Sequence, residues 1–178
     1  EGRSVLAVAR PIQAVAALTR TDAAALLADA HERMREARSA RPAPGRDDAA
    51  ITAWNGLAIA AFADAGVVLG RADFVEAARV AAAFVCDHAW VDGRLHRTLH
   101  GDTAQHDGNL DDHAHLAFGL VRLHQATADA RWLREAGRVV HAMLERFGDE
   151  DGTGFYRAPR DGERLVARTR DLEDHPAT

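Results

Sequence analysis

The chain has 178 residues, of which 47% are hydrophobic and 28% charged, with a formal net charge of −5. That length suits one ordinary domain burying about 70% of its unfolded surface, and the negative balance argues against a nucleic-acid-binding protein. The lone Cys86 excludes an internal disulfide, and no signal peptide or membrane span is recognisable, which points to the cytoplasm.

Residues 1–20 read as a loop with a short extended piece from Val5 to Val8 and one helical turn after Pro11. Thr21-Asp22 offers a cap for a helix over Ala23–Ala37, with Leu26, Leu27, Ala30 and Met34 on one face. Pro42 and Pro44-Gly45 end it. From Thr52 to Leu69 the pattern is apolar nearly all round, which predicts an inner helix. The helix from Asp73 to Trp90 alternates apolar residues with Glu76, Arg79 and Asp87, as an outer helix does, and Asp73 and Glu76 have the spacing of a capping-box variant. Arg94–Thr98 reads as extended and Gly101–Asn109 as a polar loop. Helices recur at Asp112–Ala126 and Arg131–Phe147, the second capped by Asp129 and stopped by Gly148. A β-hairpin is expected from Phe155-Tyr156 and Leu165-Val166 around Asp161-Gly162.

This order is one unit written twice. Trp54 overlays Asp112 and Phe74 overlays Trp132, at an offset of 58 residues in both cases (112 − 54 and 132 − 74). Each unit is inner helix, outer helix, then a Gly-marked extended segment, so the fold is all-α with short strand decorations. A repeat places equivalent helix starts at one end of the molecule, and the polar chemistry is concentrated there. The first start carries Asp47, Asp48, Trp54 and Asn55, and the second carries Asp111, Asp112 and His113.

Paired carboxylates across a shared mouth fit glycoside hydrolysis, and a histidine beside them fits the proton abstraction of a sugar epimerase. Asp112, Asp48 and His113 are therefore the candidate acid/base groups. Trp54, Asn55, Asp111 and Asp47 are the candidate substrate-binding residues. Against this stands a plainer reading, in which aspartates at helix starts cap orphan N–H groups for about 0.5–2 kcal/mol. Only one of Asp111 and Asp112 can be a cap, and the other has Arg46 or Arg97 to pair with. Trp54 is more simply inner-helix packing, whereas Asn55 on an apolar helix must find partners for its amide. No metal set or cofactor motif is apparent: His113 and His115 face different directions, and His31-Glu32 lacks the second histidine of a metalloprotease.

The segments Arg46-Asp47-Asp48, Ile51-Thr52-Ala53-Trp54-Asn55-Gly56-Leu57, Leu110-Asp111-Asp112-His113-Ala114 and Thr153-Gly154-Phe155-Tyr156 closely resemble the YyaL-type, or spermatogenesis-associated protein 20, family. The opening Glu1-Gly2-Arg3-Ser4 and the later Arg168-Thr169-Arg170-Asp171 extend that likeness along the whole chain. The resemblance implies a segment of an (α/α) toroid of the six-hairpin-glycosidase type, akin to N-acylglucosamine 2-epimerase, with the site at the mouth where inner helices begin. It also implies a fragment of a longer protein with a thioredoxin-like domain, absent here. Residues 1–178 would be the central toroid segment, with repeats at about 48–108 and 109–170 and apolar flanks where neighbouring helices pack. Departures from the family pattern are Ala49 in place of a lysine, His113 in place of an aromatic, and the tail Asp174-His175-Pro176-Ala177. The implied function is carbohydrate-acting, hydrolase- or epimerase-like, with a carbohydrate ligand; the alternative is a non-catalytic scaffold serving the thioredoxin-like domain.

Overall fold

A computed structural model describes residues 10–19 and 22–170. The chain divides into two compact units, Glu1–Asp47 and Asp48–Thr178. The expected extended piece at Val5–Val8 lies outside the described residues.

The first unit holds α1 (Ile12–Thr19) and α2 (Ala23–Ser39). Helix α1 is longer than the single turn expected, because Pro11 fits the start of a helix and its carbonyl accepts from the amides of Ala14 and Val15. Asp22 caps α2 as anticipated, its carboxylate accepting from Ala25 N at 3.0 Å. The apolar face drawn through Leu26, Leu27 and Met34 is exposed rather than covered.

The second unit carries the repeat. Helix α3 (Thr52–Val68) is followed by α4 (Ala72–His88), and α5 (Leu110–Thr127) by α6 (Ala130–Phe147). The starts are offset by 58 residues in both pairs (110 − 52 and 130 − 72), the value read from the sequence. Asp129 caps α6, accepting from Arg131 N at 2.8 Å, and Gly148 ends it. The capping box expected at Asp73 and Glu76 does not form. Arg71 is the N-cap of α4 and its guanidinium engages the Asp73 carboxylate instead.

Between the hairpins lie β2 (Trp90–Val91), β3 (Arg94–His100) and β4 (Thr103–Asp107), while β1 (Ala50–Ile51) leads into α3. All pairings are antiparallel, with β3 joined to β1, β2 and β4. Asp92 and Gly93, both at positive φ, make the tight turn into β3. Strand β4 corrects the expected polar loop. Its residues are mostly exposed, so it lacks the apolar alternation that marks a strand, and pairing with β3 alone defines it. The hairpin expected after α6 is also corrected: the pairing of that segment is a single bridge between Gly148 and Phe155.

The core is shared by all four helices and β3. Ile59, Ala63, Ala78, Val85, Leu95, Leu99, Leu116, Leu120, Leu123, Trp132 and Val139 are buried in one cluster. Helices α3 and α5 run side by side in the same direction, with Ala53 beside Asp112, Gly56 beside His115 and Gly119, and Asp64 beside Arg122. Their backbones touch where both lack a side chain. A methyl group at Gly56 would lie 2.6 Å from Leu116 N, and one at Gly119 would strike the Gly56 carbonyl.

Candidate functional site

The starts of α3 and α5 share one end of the second unit, joined through Asp112. This carboxylate is fully buried. One oxygen accepts from Ala53 N at 3.0 Å, in the first turn of α3. The other accepts from Asn109 N at 2.9 Å, closing a capping box with the N-cap of α5, and faces Arg97 Nη1 at 3.3 Å. Burial dominates its titration and holds the carboxyl above the ordinary range, opposed by the Asn109 amide, Arg97 and the Ala53 amide. The side chain of Arg97 lies on the same face of β3 as the buried Leu95 and Leu99, because its partner sits beneath that face. Thr52, also fully buried, donates to the carbonyl of His96 at 2.7 Å and ties α3 to the same strand.

His113 follows Asp112 into the interior and is fully buried. Its Nδ1 lies 2.8 Å from the Asn109 carbonyl, so that nitrogen carries the proton and Nε2 does not. Nε2 is buried with no hydrogen-bond partner, and the ring packs edge-on against Phe147 at 5.0 Å between centroids. Burial pushes its pKa down, so the imidazole is neutral near pH 7.

The two residues expected as acid/base groups in the second repeat are thus seated in the frame, with neither presenting an atom to solvent. The remaining candidates lie differently. Trp54 is 51% exposed at the first turn of α3 rather than packed inside. Asn55 is half-buried, its amide donating to the Ile51 carbonyl at 2.9 Å, so the partner its burial demands is its own helix start. Asp111 is exposed in the first turn of α5. Asp48 is exposed two residues before β1, and Asp47 is exposed at the end of the first unit.

Sequence reasoning passed over two residues, Asn109 and Arg146. Asn109 caps α5, and its spacing to Asp112 is the capping-box signature. Arg146, almost fully buried in the last turn of α6, donates to both Asp107 and Asp161, which Arg94 also meets. This four-charge cluster binds β3, β4 and the segment after α6 to the last turn of α6. Nothing local marks Arg146, whose partners are 39 and 15 residues away. Beyond it, a concavity of about 560 Å³ is lined by Asp149, Tyr156, Arg160, Arg168 and Arg170 among others. The Tyr156 ring there is covered by the guanidinia of Arg168 and Arg170, at 4.2 and 4.7 Å.

Among the described residues no group of histidine, cysteine and acidic side chains is arranged to hold a metal, and no helix is long and apolar enough to cross a membrane. The thiol of Cys86 is buried in α4, and burial pushes its pKa up to about 12.

No family model matches the chain. Spermatogenesis-associated protein 20 from Homo sapiens is 32% identical over 98% of the chain, and its counterpart from Rattus norvegicus is 34% identical over 84%. These alignments cover 24% and 20% of the relatives, so the chain spans about a quarter of their length. Among solved structures, a sugar epimerase from a ruminal bacterium superposes with a TM-score of 0.54 and 21% identity, over 66% of this chain and 33% of that one. That likeness concerns the fold, an (α/α) toroid of helical hairpins, and it agrees with the repeated inner and outer helices. The chain belongs, as one segment, to the spermatogenesis-associated protein 20 family.

Proposed function

We propose that this segment forms part of the wall of a carbohydrate-acting (α/α)-toroid domain, hydrolase- or epimerase-like in its reaction. The observation that carries the reading is the alignment of the α3 and α5 starts at one end, in a fold shared with a sugar epimerase. Exposed polar and aromatic groups at those starts would meet the ligand, Trp54 by stacking on a sugar ring and Asn55 and Asp111 by hydrogen bonds. Asp48, exposed, is the candidate acid or base of the first repeat, with Asp47 beside it in sequence. Asp112 and His113 act in this reading from beneath, Asp112 by fixing the two helix starts relative to one another and His113 by filling the space behind them.

The test is a thermal-shift titration of the chain with monosaccharides and oligosaccharides, since a ligand that binds only the native state raises its melting temperature. A shift that Trp54→Ala or Asp111→Asn abolishes supports the reading. The absence of a shift with every saccharide, or a shift that neither variant changes, overturns it.

One observation favours a second reading. The Asp112 carboxylate is saturated by three donors and His113 is sealed, so the second repeat offers no free acid/base pair of its own. A non-catalytic helical scaffold, serving a thioredoxin-like domain in the longer protein, needs none. A saccharide that binds but is never turned over by the longer protein would favour it.

A further inference from the structure

In Arg35, Arg71 and Arg122 the Nε and Nη2 atoms grip one carboxylate side by side, Arg122 holding Asp64 at 2.9 and 2.8 Å. Arg97 departs from that pattern. Its guanidinium has one polar partner among the described residues, Asp112, which Nη1 meets at 3.3 Å. That is longer than the roughly 2.7–2.9 Å of a charge-assisted hydrogen bond. Asp112 already accepts from two backbone amides, at 3.0 and 2.9 Å. The carboxylate therefore braces the guanidinium from one side and leaves its Nε–Nη2 edge unfilled. The Arg97 side chain is 30% exposed, while that of Asp112 beneath it is not exposed at all.

Arg97 occupies the middle of β3, the strand paired to both β1 and β4, at the end of the second unit where α3 and α5 begin. Asp112 joins it to the first turn of α3 through Ala53 N, one residue before the exposed Trp54. In the first turn of α5 the residue beside Asp112 is the exposed Asp111. Both helices turn the positive end of their dipoles toward this place. We infer that Arg97 receives the anionic group of an acidic saccharide, a carboxylate or a phosphate, on its Nε–Nη2 edge, with the sugar ring against Trp54. The inference rests on the carbohydrate reading above and narrows it to sugars that carry a negative charge. A guanidinium fork matches a carboxylate or phosphate with two parallel hydrogen bonds, a match that a neutral hydroxyl does not offer. Because Asp112 holds the fork in place beforehand, seating the anion orders little further side chain.

Isothermal titration calorimetry tests this with glucose, galactose and mannose, each beside its uronate and its phosphate ester. The wild-type chain should bind a charged sugar about 10–100-fold more tightly than the neutral parent, as expected for hydrogen bonds to a charged group. Whether the uronate or the phosphate ester is preferred tells carboxylate from phosphate. Arg97→Gln should remove the preference. Arg97→Lys keeps a cation beside Asp112 but lacks the fork, so it should keep the wild-type urea midpoint and still lose the preference; it decides the matter if Arg97→Gln does not fold. The readout is the ratio of charged to neutral affinity, which a purely structural arginine would not move, because a loosened fold weakens both sugars alike. Equal binding of neutral and charged sugars overturns the inference and leaves the carbohydrate reading standing. A preference that survives in Arg97→Lys does the same. Failure of every sugar to bind overturns both.

Discussion

Replacing Gly56 and Gly137 by alanine, one at a time, should have opposite effects although the chemical change is the same. Both glycines lie within helices, where alanine is favoured by about 1 kcal/mol. At Gly137, exposed on α6, nothing lies within 4 Å of the added carbon, so that gain should appear undiminished. At Gly56 the carbon would sit 2.6 Å from Leu116 N and closer still to the His115 carbonyl, and ordinary contact begins at 3.4 Å. The obstacle is α5 backbone, which has no rotamer to change, so α3 and α5 must separate by about 1 Å along a close-packed seam. Overpacking of this kind costs about 3 kcal/mol at its upper end, against the propensity gain of about 1, for a net loss of roughly 2 kcal/mol. For a chain of this size that is a fall in melting temperature of about 4–8 °C for Gly56→Ala, against a rise of about 2–4 °C for Gly137→Ala. Thermal and urea unfolding of the two variants measure it. Equal stabilisation by both would refute the backbone contact between α3 and α5, and with it the side-by-side placement of the helix starts.

Asp112→Ala leaves the amides of Ala53 and Asn109 and the Arg97 guanidinium without their acceptor, and should cost about 3–5 kcal/mol in urea unfolding; a loss below about 1 kcal/mol would mean the clamp contributes no more than a surface ion pair. Because the pKa of His113 is lowered by burial, the unfolded chain takes up a proton near its ordinary value of about 6.5 before the folded one does. Stability from this group is full above that value and lost as pH falls through it toward the lowered folded value. His113→Phe, which keeps a ring against Phe147, should flatten the urea midpoint between about pH 7 and 5.5, and an unchanged slope would assign the acid sensitivity elsewhere. Asp112 acts in the opposite sense at lower pH: its raised folded pKa makes the native state bind the proton first, so its contribution falls as pH rises through that value. Cys86, buried with its pKa at about 12, should react with a thiol reagent only as fast as the protein opens, and prompt stoichiometric labelling of the native chain would contradict its burial.

The amino-acid sequence by itself determined the repeat, because a hairpin of helices is written in local terms: apolar spacing, caps and a terminating glycine. The starts of α3 through α6, the Asp129 cap and the Gly148 stop were legible for that reason, and the inner character of α3 followed from its lack of a polar face. Only the tertiary structure decided what the polar residues at the helix starts do. Asp112 could have been a helix cap, an arginine partner or an exposed acid, and its sequence neighbourhood is the same in each case. It is the approach of Ala53 from 59 residues away, with β3 laid across by its pairing to β1, that buries it and fills its lone pairs. Strand β4 and the Arg146 cluster escaped for the same reason, since an exposed strand and a buried arginine are both defined by partners distant in the chain. Local chemistry fixes which helices form, and long-range packing sets which of their polar groups face one another and which face the solvent.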